Sequence, residues 1–254
     1  MNLPTPILGE VTAITITTPD LDISSAFYKK LGFDEIMRSD FPFPWIQVSD
    51  GALLMMLRKD NKPYIALTYY VKDIDASVKL IEDAGLVFAE IPKPSDFVRK
   101  YLLHTPDGAN ISLIHIPEGF MQPKGPTMLT MLPQDYTKPE KYANQVCGMF
   151  GEFAMPVKDL DASISFWGKL GFQTLSKMSS HYPWAILSDG LAIVGLHQTE
   201  SFSDPTITYF AADMKGKIEK LKQDGLENYK EMGPTNIVVT TPEKQKINLF
   251  SLGM

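Results

Sequence analysis

The sequence has a single cysteine, only four histidines and no surplus of positive charge. Cys147 alone cannot form an internal disulfide, and it excludes an all-cysteine zinc site. Four histidines limit any histidine-rich metal centre. Twenty-four Lys and Arg stand against thirty Asp and Glu, a net charge of −6. The basic face that a nucleic-acid partner requires is therefore not expected. No apolar run approaches the roughly 20 residues of a membrane span, so no membrane partner is expected. The opening MNLPTPILGE has neither the basic start nor the apolar stretch of a secretory signal. A Walker loop, a G-x-G-x-x-G and a Cys-x-x-Cys are missing as well. Over 254 residues, 44% are hydrophobic and 21% charged, which suits a soluble chain of two domains with sizeable cores. A cytoplasmic location is the expectation.

The chain repeats itself. Asp20 to Phe33 reads DLDISSAFYKKLGF and Asp159 to Phe172 reads DLDASISFWGKLGF, with nine of fourteen positions identical. The offset of 139 residues carries on without a gap to Trp45 and Trp184, each in a Pro-Trp pair, and to the SDG triplets ending at Gly51 and Gly190. A fainter level lies inside each half: VKDIDASVKLIEDAG, ending at Gly85, echoes VKDLDASISFWGKLG, ending at Gly171. AADMKGKIEKLKQDG, ending at Gly225, fills the same role. Four units of about 55 residues result, starting near Leu8, Tyr64, Gly148 and Pro205. The halves read as residues 1–117 and 147–254. Between them a proline-rich stretch, 118–146, predicts a crossover or linker rather than a helix.

Each unit opens on period-two alternation, as in Ala13-Ile14-Thr15-Ile16-Thr17. An Asp follows (Asp20, Asp73, Asp159, Asp213), then about three turns of amphipathic helix closed by Gly32, Gly85, Gly171 or Gly225. Further short strands complete a βαβββ unit. The fold class is α+β.

A strand ending in DLD, a helix containing FY or FW, LGF, a DG before an apolar strand, and TPDG-x-x-I-x-L at Thr105 to Leu113 resemble the vicinal oxygen chelate superfamily. That group includes glyoxalase I, bleomycin-resistance proteins and extradiol dioxygenases. The resemblance covers nearly the whole chain outside the proline-rich stretch. It implies four βαβββ units paired into two cup-shaped modules, an internal pseudo-dimer that is monomeric or forms a homodimer. It also implies where a divalent metal would sit. The matching positions here are Ala13, Ala66, Glu152 and Thr206 on the first strands, with Ser112 and Asn248 in place of the family's later glutamate. In the implied pairing, Glu152 meets Ala66 and Ser112, and Asn248 meets Ala13 and Thr206. Neither set supplies three ligands of the His or carboxylate type that such cations need. No cofactor is therefore expected.

Aromatic residues remain as candidates. Trp45 follows Phe41, Phe43 and Pro44, and Trp184 follows His181, Tyr182 and Pro183. Ring stacking and buried area would hold a flat ligand, with Tyr70 and Phe210 from the first strands contributing. Packing in the core or between the halves is the competing role for the tryptophans. Glu152, Thr208, Ser112 and Asn248 would supply hydrogen bonds. Glu152 in an apolar cup also suits a general acid or base. The DG turns at Asp50 and Asp189 read as hairpin chemistry alone. Ser24, Ser25 and Ser163 show no His or Asp signature around them. Met55-Met56 and Met128 to Met131 read as packing filler.

The expected function is a metal-free binder or sequesterer of a small organic ligand, with aromatic ligands among the candidates, in a concave cup, of the bleomycin-resistance type. The alternatives are a glyoxalase-like lyase or isomerase, or a dioxygenase, with a non-standard metal set, and a metal-free acid/base enzyme using Glu152.

Overall fold

The computed structural model describes residues 5–117, 127–129 and 131–253. In the first repeat, β1 (Val11–Thr18) leads into α1 (Leu21–Lys30), then β2 (Asp34–Ser39), β3 (Trp45–Ser49) and β4 (Leu54–Lys59). The second holds β5 (Ile65–Val71), α2 (Ile74–Asp83), β6 (Lys100–His104) and β7 (Asn110–His115). The third holds β8 (Met149–Pro156), α3 (Leu160–Lys169), β9 (Gln173–Met178), β10 (Trp184–Ser188) and β11 (Ile193–His197). The fourth holds β12 (Thr206–Ala211), α4 (Met214–Gln223), β13 (Tyr229–Gly233), β14 (Asn236–Thr240) and β15 (Lys246–Ser251).

Three repeats are βαβββ as the sequence predicts. The second departs: ahead of β6, Pro92 and Pro94 interrupt the chain, and only an isolated bridge from Glu90 to Leu102 forms. Proline has no N–H to give a strand ladder, so a full strand does not propagate there.

The helices start where the sequence puts an Asp. The Asp20 carboxylate accepts from the N–H groups of Asp22 and Ile23, and Asp73 and Asp159 accept from Ala76 and Ala162. These bonds satisfy donors that a first helical turn leaves unpaired. The same helices end two residues before Gly32, Gly85 and Gly171, and Gly32 and Gly171 both take φ +85, a left-handed value that disfavours any side chain.

The strands form a seven-stranded sheet in the order β2-β3-β4-β1-β5-β7-β6 and an eight-stranded sheet in the order β13-β14-β15-β12-β8-β11-β10-β9. Each sheet belongs to one half of the sequence. β5 pairs with β7, and β12 with β15, in parallel; the hairpins are antiparallel. Compactness follows a different division. One unit comprises Met1–Ile14, Ile65–Thr127 and Ala154–Pro205; the other comprises Thr15–Tyr64, Met128–Phe153 and Thr206–Met254. Each unit thus takes one repeat from each half.

In the first unit, Leu67, Tyr69, Leu113, Trp167, Leu187 and Leu196 are fully buried; in the second, Ile16, Tyr28, Ile46, Leu57, Phe153 and Leu249 are. Each such side chain contributes about 1.5–3 kcal/mol by leaving water. The proline-rich stretch, where described, makes two single 3₁₀ turns, Pro133–Asp135 and Pro139–Lys141. Thr130 lies outside the described residues; Met55 and Met128 are buried, as packing residues should be.

Candidate functional site

The sheet faces turned away from the helices carry the half-exposed aromatics. Helix α3 packs on β10 and β11, and beneath it Ala185, Leu187, Val194 and Leu196 are buried. The alternate residues, Trp184 and Ile186 on β10 and His197 on β11, point the other way and are half-exposed. Trp184 and His197 are direct cross-strand neighbours. Their rings lie 6.4 Å apart and nearly parallel, at 20°. The Tyr182 hydroxyl is 3.1 Å from His197 Nδ1, and Phe202 meets the same imidazole edge-on at 5.8 Å. Tyr182, Trp184 and Phe202 therefore box in His197. His181, one residue upstream of Tyr182, takes φ 67 to turn the loop.

The first repeat builds the same box from different residues. Helix α1 packs on β3 and β4 over buried Ile46, Val48, Met55 and Leu57. Trp45 and its cross-strand neighbour Arg58 point away from it. The guanidinium carbon of Arg58 lies 5.4 Å from the Phe43 ring centre and 5.7 Å from that of Tyr64. Trp45 donates its indole N–H to the Phe41 carbonyl at 3.1 Å, which fixes the ring. Neither tryptophan is a core residue; the core tryptophan is Trp167.

The positions corresponding to the family's metal ligands have a different chemistry. Glu152 is 4% exposed on β8. The Asn248 amide donates to the hydroxyls of Thr206 at 3.1 Å and Thr208 at 3.2 Å, so these three groups answer one another. Asn248 on β15 thus meets Thr206 and Thr208 of the neighbouring strand β12. Thr68 and Ser112 occupy the corresponding register on β5 and β7, both buried. Phe210 is half-exposed, with its ring lying against Gly151; a Cβ at Gly151 would overlap that ring. Tyr70 is buried. Ala13 and Ala66 have no donor atom, and the hydroxyl and amide groups are engaged with each other. Among the described residues, no three His, Cys, Asp or Glu side chains gather as a metal site. These residues do not fit a divalent cation, which calls for several carboxylate or imidazole donors.

Two further sets of polar side chains belong to the cores. The Tyr69 hydroxyl donates to Asp189 Oδ2 at 2.6 Å, and the Tyr209 hydroxyl donates to Asp50 Oδ2. Asn144 adds a 3.0 Å bond to Asp50. The other carboxylate oxygens accept from the N–H groups of Ala52 and Leu53, and of Leu191 and Ala192. The expectation that Asp50 and Asp189 only shape hairpins is corrected: each is buried and also ties a repeat of one half to a repeat of the other. Burial pushes the Asp189 carboxyl above its usual range, and burial beside a carboxylate pushes both tyrosines well above theirs.

The helix serines are likewise not isolated from acids. Ser163 donates to Asp107 at 2.9 Å and Ser24 to buried Glu243, which Tyr28 also reaches at 3.3 Å. Asp107 and Glu243 are the third residues of TPD and TPE. Ser25 donates to Glu35 at the surface. Repetition was the available signal for the Ser24–Glu243 and Ser163–Asp107 clasps and for the two tyrosine–aspartate pairs, because both members of each recur in both halves. Cys147 is buried with its thiol donating to the Leu31 carbonyl at 3.3 Å, an inert position rather than a nucleophile's.

No protein-family model and no curated protein matches the chain. Solved structures do. The 2,3-dioxygenase LapB from a Pseudomonas species has a TM-score of 0.61 at 14% identity, covering 98% of this chain and 94% of its own. Homoprotocatechuate 2,3-dioxygenase from Arthrobacter globiformis gives 0.61 at 16% identity, covering 99% and 82%. The halotolerant catechol dioxygenase BphC gives 0.55 at 12% identity, covering 96% and 87%. Identities this low speak for the fold and leave the chemistry to the residues. Among the described residues no helix is long and apolar enough to cross a membrane. Repeated βαβββ units, two mixed sheets and likeness over almost the whole chain together show that this protein has the fold of the vicinal oxygen chelate superfamily.

Proposed function

We propose that this is a cytoplasmic protein that binds a small organic ligand with a flat, aromatic part, without a metal and without a covalent step. The two modules, 1–117 and 147–254 with 118–146 between them, are a duplicated scaffold for that purpose. The observation that carries the reading is the half-exposed tryptophan on the helix-free face of each half, held beside a basic side chain within an aromatic box. A ring entering beside Trp45 or Trp184 would stack on a surface already fixed, so little ordering cost opposes binding. Thr208, Asn248, Ser112 and Glu152 would supply polar contacts.

Fluorescence titration with planar aromatics tests this. Binding in the micromolar range is expected, weakened about tenfold by Trp45→Ala or Trp184→Ala, the loss of one stacked ring. Calorimetric titration with zinc, nickel, iron(II) or manganese should show no tight stoichiometric uptake; such uptake would overturn the metal-free reading.

The structural likeness to ring-cleaving dioxygenases favours a second reading, an enzyme acting on an aromatic substrate. It requires a metal held by Glu152 and Asn248, a donor set that fits poorly. Chelator-sensitive oxygen consumption with catechol, lost on Glu152→Gln, would establish it. Turnover that is lost on Glu152→Gln but insensitive to chelators would instead indicate metal-free acid/base chemistry.

A further inference from the structure

We propose that the box around Arg58 selects ligands bearing a carboxylate on the aromatic ring, and that its counterpart around His197 does not. This rests on the reading that the Trp45 face binds flat ligands and specifies their charge. The sequence has three arginines. Two are tied at the surface by close carboxylates: Arg38 bonds Asp22 at 2.7 Å and Glu35 at 3.0 Å, and Arg99 bonds Asp75 at 2.5 Å. Arg58 differs in burial and in its neighbours. Its side chain is only 26% exposed, against 42% and 40% for the other two. It lies among Phe43, Tyr64 and Trp45 on a face with no helix over it.

Its one ion pair is loose, from Nη2 to Asp60 at 3.3 Å. Among the described residues, Nε and Nη1 make no hydrogen bond. A guanidinium has five donors in a planar fork that matches a carboxylate two bonds at a time. Most of that fork is uncommitted here, and the flanking rings reduce the water that would otherwise screen it. The Asp60 carboxylate is also held by the Lys62 N–H at 3.0 Å, so it is anchored to its own turn and competes from one side only.

The repeat supplies the internal comparison. At the equivalent place in the second half, tryptophan and the flanking aromatics persist, but His197 replaces Arg58 and Thr199 replaces Asp60. The imidazole Nδ1 is already engaged with the Tyr182 hydroxyl. That box offers stacking without a permanent charge. One carboxylate-selective site per chain follows.

Naphthalene-2-carboxylate and naphthalene-2-carboxamide share a ring and differ in charge. Both should be titrated into the full-length protein at pH 8, by calorimetry and by tryptophan emission, with thermal melts confirming that each variant folds. The acid is expected to bind at least tenfold more tightly than the amide, with a stoichiometry of one, from the added charge-assisted bonds. Arg58→His should erase that preference, and Asp60→Asn should strengthen acid binding several-fold by removing the competitor. Equal affinity of acid and amide, with tryptophan emission still quenched, would overturn this selectivity and leave the binder reading standing. A preference for acid that survives Arg58→His would also overturn it, because the charge would then lie elsewhere. Binding of neither probe would sink the binder reading and the selectivity together.

Discussion

Asp189 is a carboxylate whose burial costs it solvation that two backbone N–H groups and the Tyr69 hydroxyl only partly restore. Its proton is held more tightly in the folded protein than in the unfolded chain. Its contribution to stability is therefore fully present below the ordinary carboxylate range, and is lost as pH rises through the raised value. Asp189→Asn keeps an oxygen for both N–H groups and cannot ionise. Melting temperatures from about pH 4 to pH 7 should show the variant gaining on the wild type as pH rises; a gap that stays constant would contradict the assignment. Gly151 is as telling. Alanine there has to displace the Phe210 ring, so Gly151→Ala should destabilise by about 1–3 kcal/mol in denaturant melts, as overpacking does. Neither residue's role was legible in sequence. An SDG triplet announces a turn, and nothing in it says which tyrosine will arrive from the other half.

At the scale of elements, far more was legible, because the signals are local. The Asp before each helix and the glycine after it were read correctly, since capping depends on neighbours three residues away. One of the four differs. Asp213 makes no side-chain cap to α4; its carboxylate lies 3.8 Å from Lys217 Nζ instead. Asp159→Ala should therefore cost about 1 kcal/mol, as N-caps do, and Asp213→Ala distinctly less. Chemical denaturation of the two variants compares them directly. The serine clasps act between elements: Ser24 and Ser163 fasten α1 and α3 to the TPE and TPD turns. Ser24→Ala should cost more than Ser163→Ala, because the Glu243 left behind is buried whereas Asp107 is half-exposed.

For the whole molecule, the consequence of duplication lies in how the compact units are composed. Each sheet follows one half, while each compact unit mixes the halves, with Tyr69–Asp189 in one and Tyr209–Asp50 in the other. Within the second unit, Trp45 comes from the first half and Cys147 from the start of the second. They should be released together: in a background with Trp167→Phe and Trp184→Phe, which leaves Trp45 as the sole tryptophan, the red shift of Trp45 emission and the exposure of the Cys147 thiol to alkylation should occur at the same urea concentration. Separate midpoints would mean that the halves unfold as independent bodies.

The amino-acid sequence by itself determined the repeats, the helix starts and stops, the strand alternation and the poverty of metal-ligating side chains, because each depends on residue type and short spacing. It also singled out Trp45 and Trp184. Tertiary structure alone decided that these rings stand on helix-free faces beside Arg58 and His197, that Asn248 turns to Thr206 and Thr208, and that tyrosines and acids from opposite halves meet. The tyrosine–acid pairings join positions 120 to 215 residues apart, brought together by burial of apolar faces that carries no local code for its partner.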